Sequence, residues 1–87
     1  MSNITIQEVA AHGCSKCANA KKVLEETIKP NYPNVTIEYI DMLSDQGQKM
    51  VQEYSIMSSP GIVVNGELFS MGGLDKEKLI EKIKALS

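Results

Sequence analysis

Asn65-Gly66, set between Ile62-Val63-Val64 and Leu68-Phe69-Ser70-Met71, constrains this chain more than any other pair of residues. Both residues tolerate positive φ, so Asn-Gly between two apolar runs predicts a tight hairpin of antiparallel strands. Upstream the pattern changes. Residues 3–11 carry Ile4, Ile6, Val9, Ala10 and Ala11 and read as a first strand. Cys17, Ala20, Leu24 and Ile28 then fall at steps of three and four, one stripe on a helix over residues 15–28. Pro30 and Pro33 are expected to end that helix in a turn-rich loop. Val35, Ile37 and Tyr39 alternate with Thr36, Glu38 and Ile40 as a second strand. Ser44 or Asp45 can cap a second helix running to Tyr54, with Met50, Val51 and Tyr54 on its inner face. After the hairpin, Gly72-Gly73 leads to Asp75, an N-cap for a last helix with Leu79, Ile80, Ile83 and Leu86 inside. The expected fold class is α/β, in the order β-α-β-α-β-β-α. Its four-stranded mixed sheet is parallel in the first half, antiparallel in the second, and carries helices on both faces.

The 87 residues hold no internal repeat, low-complexity tract or linker, and one domain over 1–87 is expected. Nine basic and 11 acidic residues are interspersed, for a net charge of −2. No basic patch interleaved with aromatics stands out, which argues against nucleic acid as a partner. The longest apolar run, Gly61 to Val64, is far too short for a bilayer. The opening Met1-Ser2-Asn3-Ile4-Thr5 lacks the positive flank and apolar stretch of a signal peptide. A cytoplasmic protein, monomeric and free of membranes, is the expectation.

That setting bears on Cys14 and Cys17. A secreted domain of this size would use several cysteines as staples, whereas two close together in a reducing compartment point to redox or metal chemistry. Cys14-Ser15-Lys16-Cys17 falls where the first strand gives way to the first helix. A thiol of pKa near 8.5 is mostly protonated at neutral pH, and the thiolate is the attacking species. Unpaired N–H groups and the macrodipole at a helix start favour the anion. Lys16 adds a cation acting in the same direction. Cys14, at the cap, is open to solvent, while Cys17 begins the apolar stripe and points inward. The spacing thus predicts an attacking Cys14 and a resolving Cys17.

A metal carrier is the rival. One CxxC supplies two ligands where structural zinc takes four, and His12 could add only a third. Copper(I) could accept two thiolates, so a copper-carrier role stays open. Copper-carrier domains, however, run β-α-β-β-α-β, without the helical pattern at 45–54 or a last helix. No resident metal or cofactor is expected.

Three features together resemble a known family: Gly13-Cys14-Ser15-Lys16-Cys17, the run from Met57-Ser58-Ser59-Pro60 through Gly61-Ile62-Val63-Val64 to Asn65-Gly66, and Gly72 after the hairpin. They resemble the small prokaryotic thioredoxin-like proteins called redox-active disulfide proteins, close in size to glutaredoxins. The resemblance covers nearly the whole chain and implies a thioredoxin-like fold and thiol–disulfide exchange. It implies a disulfide-containing protein or small-molecule thiol as substrate, and an upstream reductase or glutathione as reductant. It also implies that Pro60 is cis beside the CxxC, that Ser59 offers its backbone to an extended substrate strand, and that Pro60 shapes the groove. Lys16, Gly72 and Gly73 join Ser59 and Pro60 as expected substrate-binding residues. Gly72, Gly73 and Asp75 look like the glutathione-holding segment of glutaredoxins, although the stretch from Pro60 to Gly72 is longer here. An iron–sulfur scaffold, with Cys14 of two subunits and two glutathiones, is a further family possibility. Thioredoxins have Trp before the first cysteine and Gly-Pro between the pair; this chain has His12-Gly13 and Ser15-Lys16, and no Trp.

Glu8 stands six residues before Cys14, where thioredoxins keep a buried Asp. Its parity with Ile4 and Ile6 allows an inward carboxylate that serves Cys17 as a base. A solvated Glu near a strand end is the plainer reading and the one preferred from sequence. His12 is expected to be a surface loop residue rather than a helper of Cys14. The methionines read as core filler, with Met57 alternatively lining the groove, and Tyr32, Tyr39 and Tyr54 as packing residues.

Overall fold

The computed structural model describes residues 3–87. β1 (Ile4–Ala10) is followed by α1 (Ser15–Val23), a π-helical turn (Leu24–Ile28) and the short α2 (Lys29–Asn31), which continue one another. Then come β2 (Val35–Asp41), α3 (Asp45–Tyr54), the hairpin strands β3 (Gly61–Val64) and β4 (Glu67–Met71), and α4 (Lys76–Leu86). The sheet order is β2-β1-β3-β4. β1 pairs in parallel with β2 and antiparallel with β3, so the expected mixed sheet is observed.

Alternation along β1 divides the interior. Ile4 and Ile6, with Ile62 and Val64, meet Ala20, Leu24 and Ile28 of the first helical run and Leu79 and Ile83 of α4. On the other face Val9, Ile40 and Val63 meet Met50 of α3 and Ile56. Each face of the sheet is therefore sealed by helices, and every residue of the Cys17–Ile28 stripe is buried.

The hairpin turns at Asn65 (φ 49°) and Gly66 (φ 79°), the two positive-φ residues such a turn requires. Asn65 also ties the turn to the central strand: its N–H donates to Thr5 O, and its Oδ1 accepts from Thr5 N–H, both at 2.8 Å. Ser44 Oγ caps α3 by accepting from Gly47 N–H, and Asp75 caps α4 by accepting from Glu77 and Lys78.

Pro30 does not end the first helix as the sequence suggested. It sits within α2, directly after the π-helical turn, and the helical run continues through it to Asn31. The π-turn before it carries an i→i+5 bond from Lys29 N–H to Leu24 O. That wider ring moves carbonyls off the line that the proline ring would block. Met57 and Met71 are not core filler either; they are 87% and 42% exposed.

Gly47 is where α3 meets the end of β2. A Cβ there would fall on the Asp41 carbonyl oxygen and 2.8 Å from Met42 Cα. Backbone cannot swing aside as a side chain can, so Gly47→Ala is expected to cost about 3 kcal/mol. Urea unfolding would read this as a lower midpoint.

Candidate active site

Cys14 is the N-cap of α1 (φ −94°, ψ 111°), and its Sγ accepts from Cys17 N–H at 3.1 Å. Gly13, at φ 72°, provides the left-handed residue that turns the chain from β1 into the helix. Cys14 is half-buried and Cys17 is 5% exposed. The two are joined as a disulfide, with Cα atoms 5.2 Å apart. Cys14 is thus part-exposed at a helix start while Cys17 is inside, the placement expected from the spacing.

The Ser59–Pro60 bond is cis, and Pro60 is fully buried before β3. Ser59 Oγ donates to Cys14 Sγ across 3.4 Å, joining the two segments that lie 45 residues apart. Gly72 N–H donates to Pro60 O at 3.0 Å. Gly72 has φ 81°, and a Cβ there would come within 3.3 Å of Ser58. Lys16, Gly72 and Gly73 share a shallow pocket of about 250 Å³ with Leu74, and neither Cys14 nor Ser59 lines it. The expected substrate-binding residues therefore form two patches, Ser59 with Cys14 and Lys16 with Gly72-Gly73. In the reduced protein the Ser59 hydroxyl would steady a Cys14 thiolate. Ser59→Ala is expected to slow alkylation of Cys14 at pH 7 by about threefold to tenfold, the size of one ordinary hydrogen bond of about 1 kcal/mol.

Glu8 corrects the solvated reading. It is 1% exposed and faces α1 on the same side of the sheet as Ile4 and Ile6. Burial raises its pKa from 4.5 to about 7, and the nearby Lys21 ammonium acts the other way. Its Oε2 is buried and has no hydrogen-bond partner among the described residues. Glu8 and Cys17 line one cavity of about 610 Å³, together with Cys14, Lys21 and Tyr39. Near neutral pH this carboxyl can therefore hold or release a proton beside the inner cysteine.

His12 is the surface residue expected, its side chain 83% exposed and its Nε2 3.1 Å from Asp41 Oδ2. Asp41 titrates below the usual range, held first by the Leu43 N–H and then by His12. Tyr39 is not a packing residue. It is 41% exposed, donates its hydroxyl to Glu25 at 2.6 Å, and carries Lys21 Nζ 5.1 Å above its ring. From sequence Lys21 counts only with Lys16 and Lys22 as a thin basic cluster, with no role at the cysteines. It lies four residues after Cys17 on α1, a spacing that could have placed it near the same inner surface.

Comparison with known proteins settles the family. The family described as Thioredoxin domain matches residues 4–85. The chain belongs to the thioredoxin family. It is 37% identical over 84 residues to a protein named thioredoxin from Methanocaldococcus jannaschii, covering 97% of this chain and 96% of that one. Among solved structures, a thioredoxin from Fasciola hepatica superposes with a TM-score of 0.72 at 26% identity, covering 99% of this chain and 83% of that one. Oxidised mitochondrial thioredoxin 3 from Saccharomyces cerevisiae gives 0.72 at 22% identity, covering 98% and 80%, a likeness of fold. Thiol–disulfide oxidoreductase activity on disulfide-bearing substrates follows from membership, and Cys14–Cys17 is the chain's own disulfide.

Proposed function

We propose that Cys14 is the nucleophile and Cys17 the resolving thiol of a disulfide reductase, with Glu8 as the proton acceptor for Cys17. The observation that carries this reading is the capped, accessible Cys14 joined to an inner Cys17 that shares a cavity with a buried carboxyl. Cys14 thiolate attacks one sulfur of a substrate disulfide, forms a mixed disulfide and releases the other sulfur as a thiolate. Cys17 gives its proton to Glu8 and attacks the Cys14 sulfur. The Cys14–Cys17 disulfide closes, and the second substrate sulfur leaves. Two electrons have passed to the substrate, and the released thiolates take up protons.

An extended substrate segment would lie against the Ser59 backbone, with Pro60 shaping the floor of the groove. Lys16, Gly72 and Gly73 would hold a neighbouring part of the substrate. An upstream reductase or glutathione would return the disulfide to the dithiol, with the protein working as a monomer in the cytoplasm. Two cysteines in one short motif suit a reducing compartment. Among the described residues no helix is long and apolar enough to cross a membrane. Turbidity from insulin reduction by dithiothreitol tests the activity. A micromolar amount of the chain should shorten the lag, and a lag equal to that without protein would refute it.

A further inference from the structure

The cavity of about 610 Å³ beside the disulfide falls within the roughly 300–1,000 Å³ of small-molecule sites and exceeds what a proton path needs. Small residues leave it open: Ala10, Ala11, Gly13 and Ala18 line the space between α1 and the carboxyl ends of the parallel strands β1 and β2. That crevice is where open α/β sheets receive ligands. Ser59 and Pro60 do not line it, so it approaches the cysteines by a route separate from the Ser59 patch.

Three charged groups line the cavity, the Glu8 and Asp41 carboxyls and the Lys21 ammonium, and Asp41 is already paired with His12 Nε2 and the Leu43 N–H. Among the described residues Glu8 Oε2 is buried with no hydrogen-bond partner, and a buried acceptor of that kind requires a donor. Lys21 contributes an ammonium group over the Tyr39 ring. Both cysteines lie on the same wall. A ligand that matches all three features carries an ammonium, a carboxylate and a thiol within a few bonds of one another.

We propose that this cavity binds a small zwitterionic aminothiol, cysteine being the simplest, with its ammonium on Glu8, its carboxylate toward Lys21 and its thiol at the Cys14–Cys17 disulfide. The proposal rests on the oxidoreductase reading and names a reductant for it. The bound thiol loses its proton to solvent, and its thiolate attacks one sulfur of the pair. A mixed disulfide forms, the Cys14–Cys17 bond breaks, and the freed cysteine sulfur takes a proton. A second aminothiol, also deprotonated, attacks the mixed disulfide. It leaves as the symmetrical disulfide of the ligand, and the second protein sulfur is protonated. Two ligand thiols are oxidised, one protein disulfide is reduced, and two protons are lost and regained.

Stopped-flow reduction of the oxidised chain by L-cysteine, cysteamine, 3-mercaptopropionate and dithiothreitol tests this. Each rate is divided by the same thiol's rate on a free small disulfide, which removes intrinsic reactivity. The L-cysteine rate should saturate with concentration. Its normalised value should exceed those of cysteamine, which lacks the carboxylate, and 3-mercaptopropionate, which lacks the ammonium, by about threefold or more. Lys21→Met should erase the advantage over cysteamine. Ala18→Leu, at an exposed position of α1, should fill the mouth of the cavity and lower the L-cysteine rate about tenfold. Rates linear in thiol, with equal normalised values and no response to either variant, would overturn the site. If the chain still shortens the lag of insulin reduction by dithiothreitol in that case, the oxidoreductase reading stands without the site; if the lag equals that without protein, both fall.

Discussion

Replacing Cys14 with serine is expected to lower insulin reduction on the order of 10³-fold or more, to the rate of dithiothreitol alone. Removing the group that forms the covalent intermediate removes the path, as with other nucleophiles. Cys17→Ser should behave differently. Its Cys14 still caps α1, still accepts from the residue 17 N–H and still lies 3.4 Å from Ser59 Oγ, because none of these contacts uses the Cys17 sulfur. The variant should attack a substrate once and stop at the mixed disulfide, since no second thiol remains in reach. Non-reducing gels and intact-mass measurement would show a covalent adduct with Cys17→Ser and none with Cys14→Ser. The reverse pattern would exchange the two roles.

The second large effect belongs to Glu8. Its pKa of about 7 in the fold lies above the 4.5 of a free carboxyl, so the native state holds the proton more tightly than the unfolded chain. For a group shifted in this direction, stability is greatest below pH 4.5 and falls as pH rises toward 7. At 1.36 kcal/mol per pKa unit the loss is about 3 kcal/mol. Glu8→Leu has no proton to lose and is expected to be about 3 kcal/mol more stable than the parent at pH 8, with the two converging near pH 4. The same variant should resolve mixed disulfides more slowly, because Cys17 loses its proton acceptor. Urea unfolding across pH would read the first effect and single-turnover kinetics the second. Parallel stability curves for the two proteins would show that Glu8 does not titrate between 4.5 and 7.

Local signals carried most of this architecture. Asn65-Gly66 marked the hairpin because few residues other than these adopt two successive positive φ values. The stripe of Cys17, Ala20, Leu24 and Ile28 placed the first helix because helical periodicity repeats the same face. What escaped the sequence depended on contacts between distant residues. Pro30 looked like a terminator, since nothing local announces that a π-turn will precede it. Glu8 and Tyr39 are paired only through the β1–β2 register, which alternation within either strand cannot fix. Its side of the sheet was readable for Glu8, but its depth was not, because burial there depends on α1 packing over it. The cavity arises from small residues on three elements and has no motif at all.

Limiting iodoacetamide on the reduced wild-type chain, followed by peptide mapping, tests the central claim most directly. The account predicts that the first carbamidomethyl group appears on Cys14, the accessible sulfur at the start of α1, while Cys17 stays unmodified. First labelling at Cys17 would contradict it.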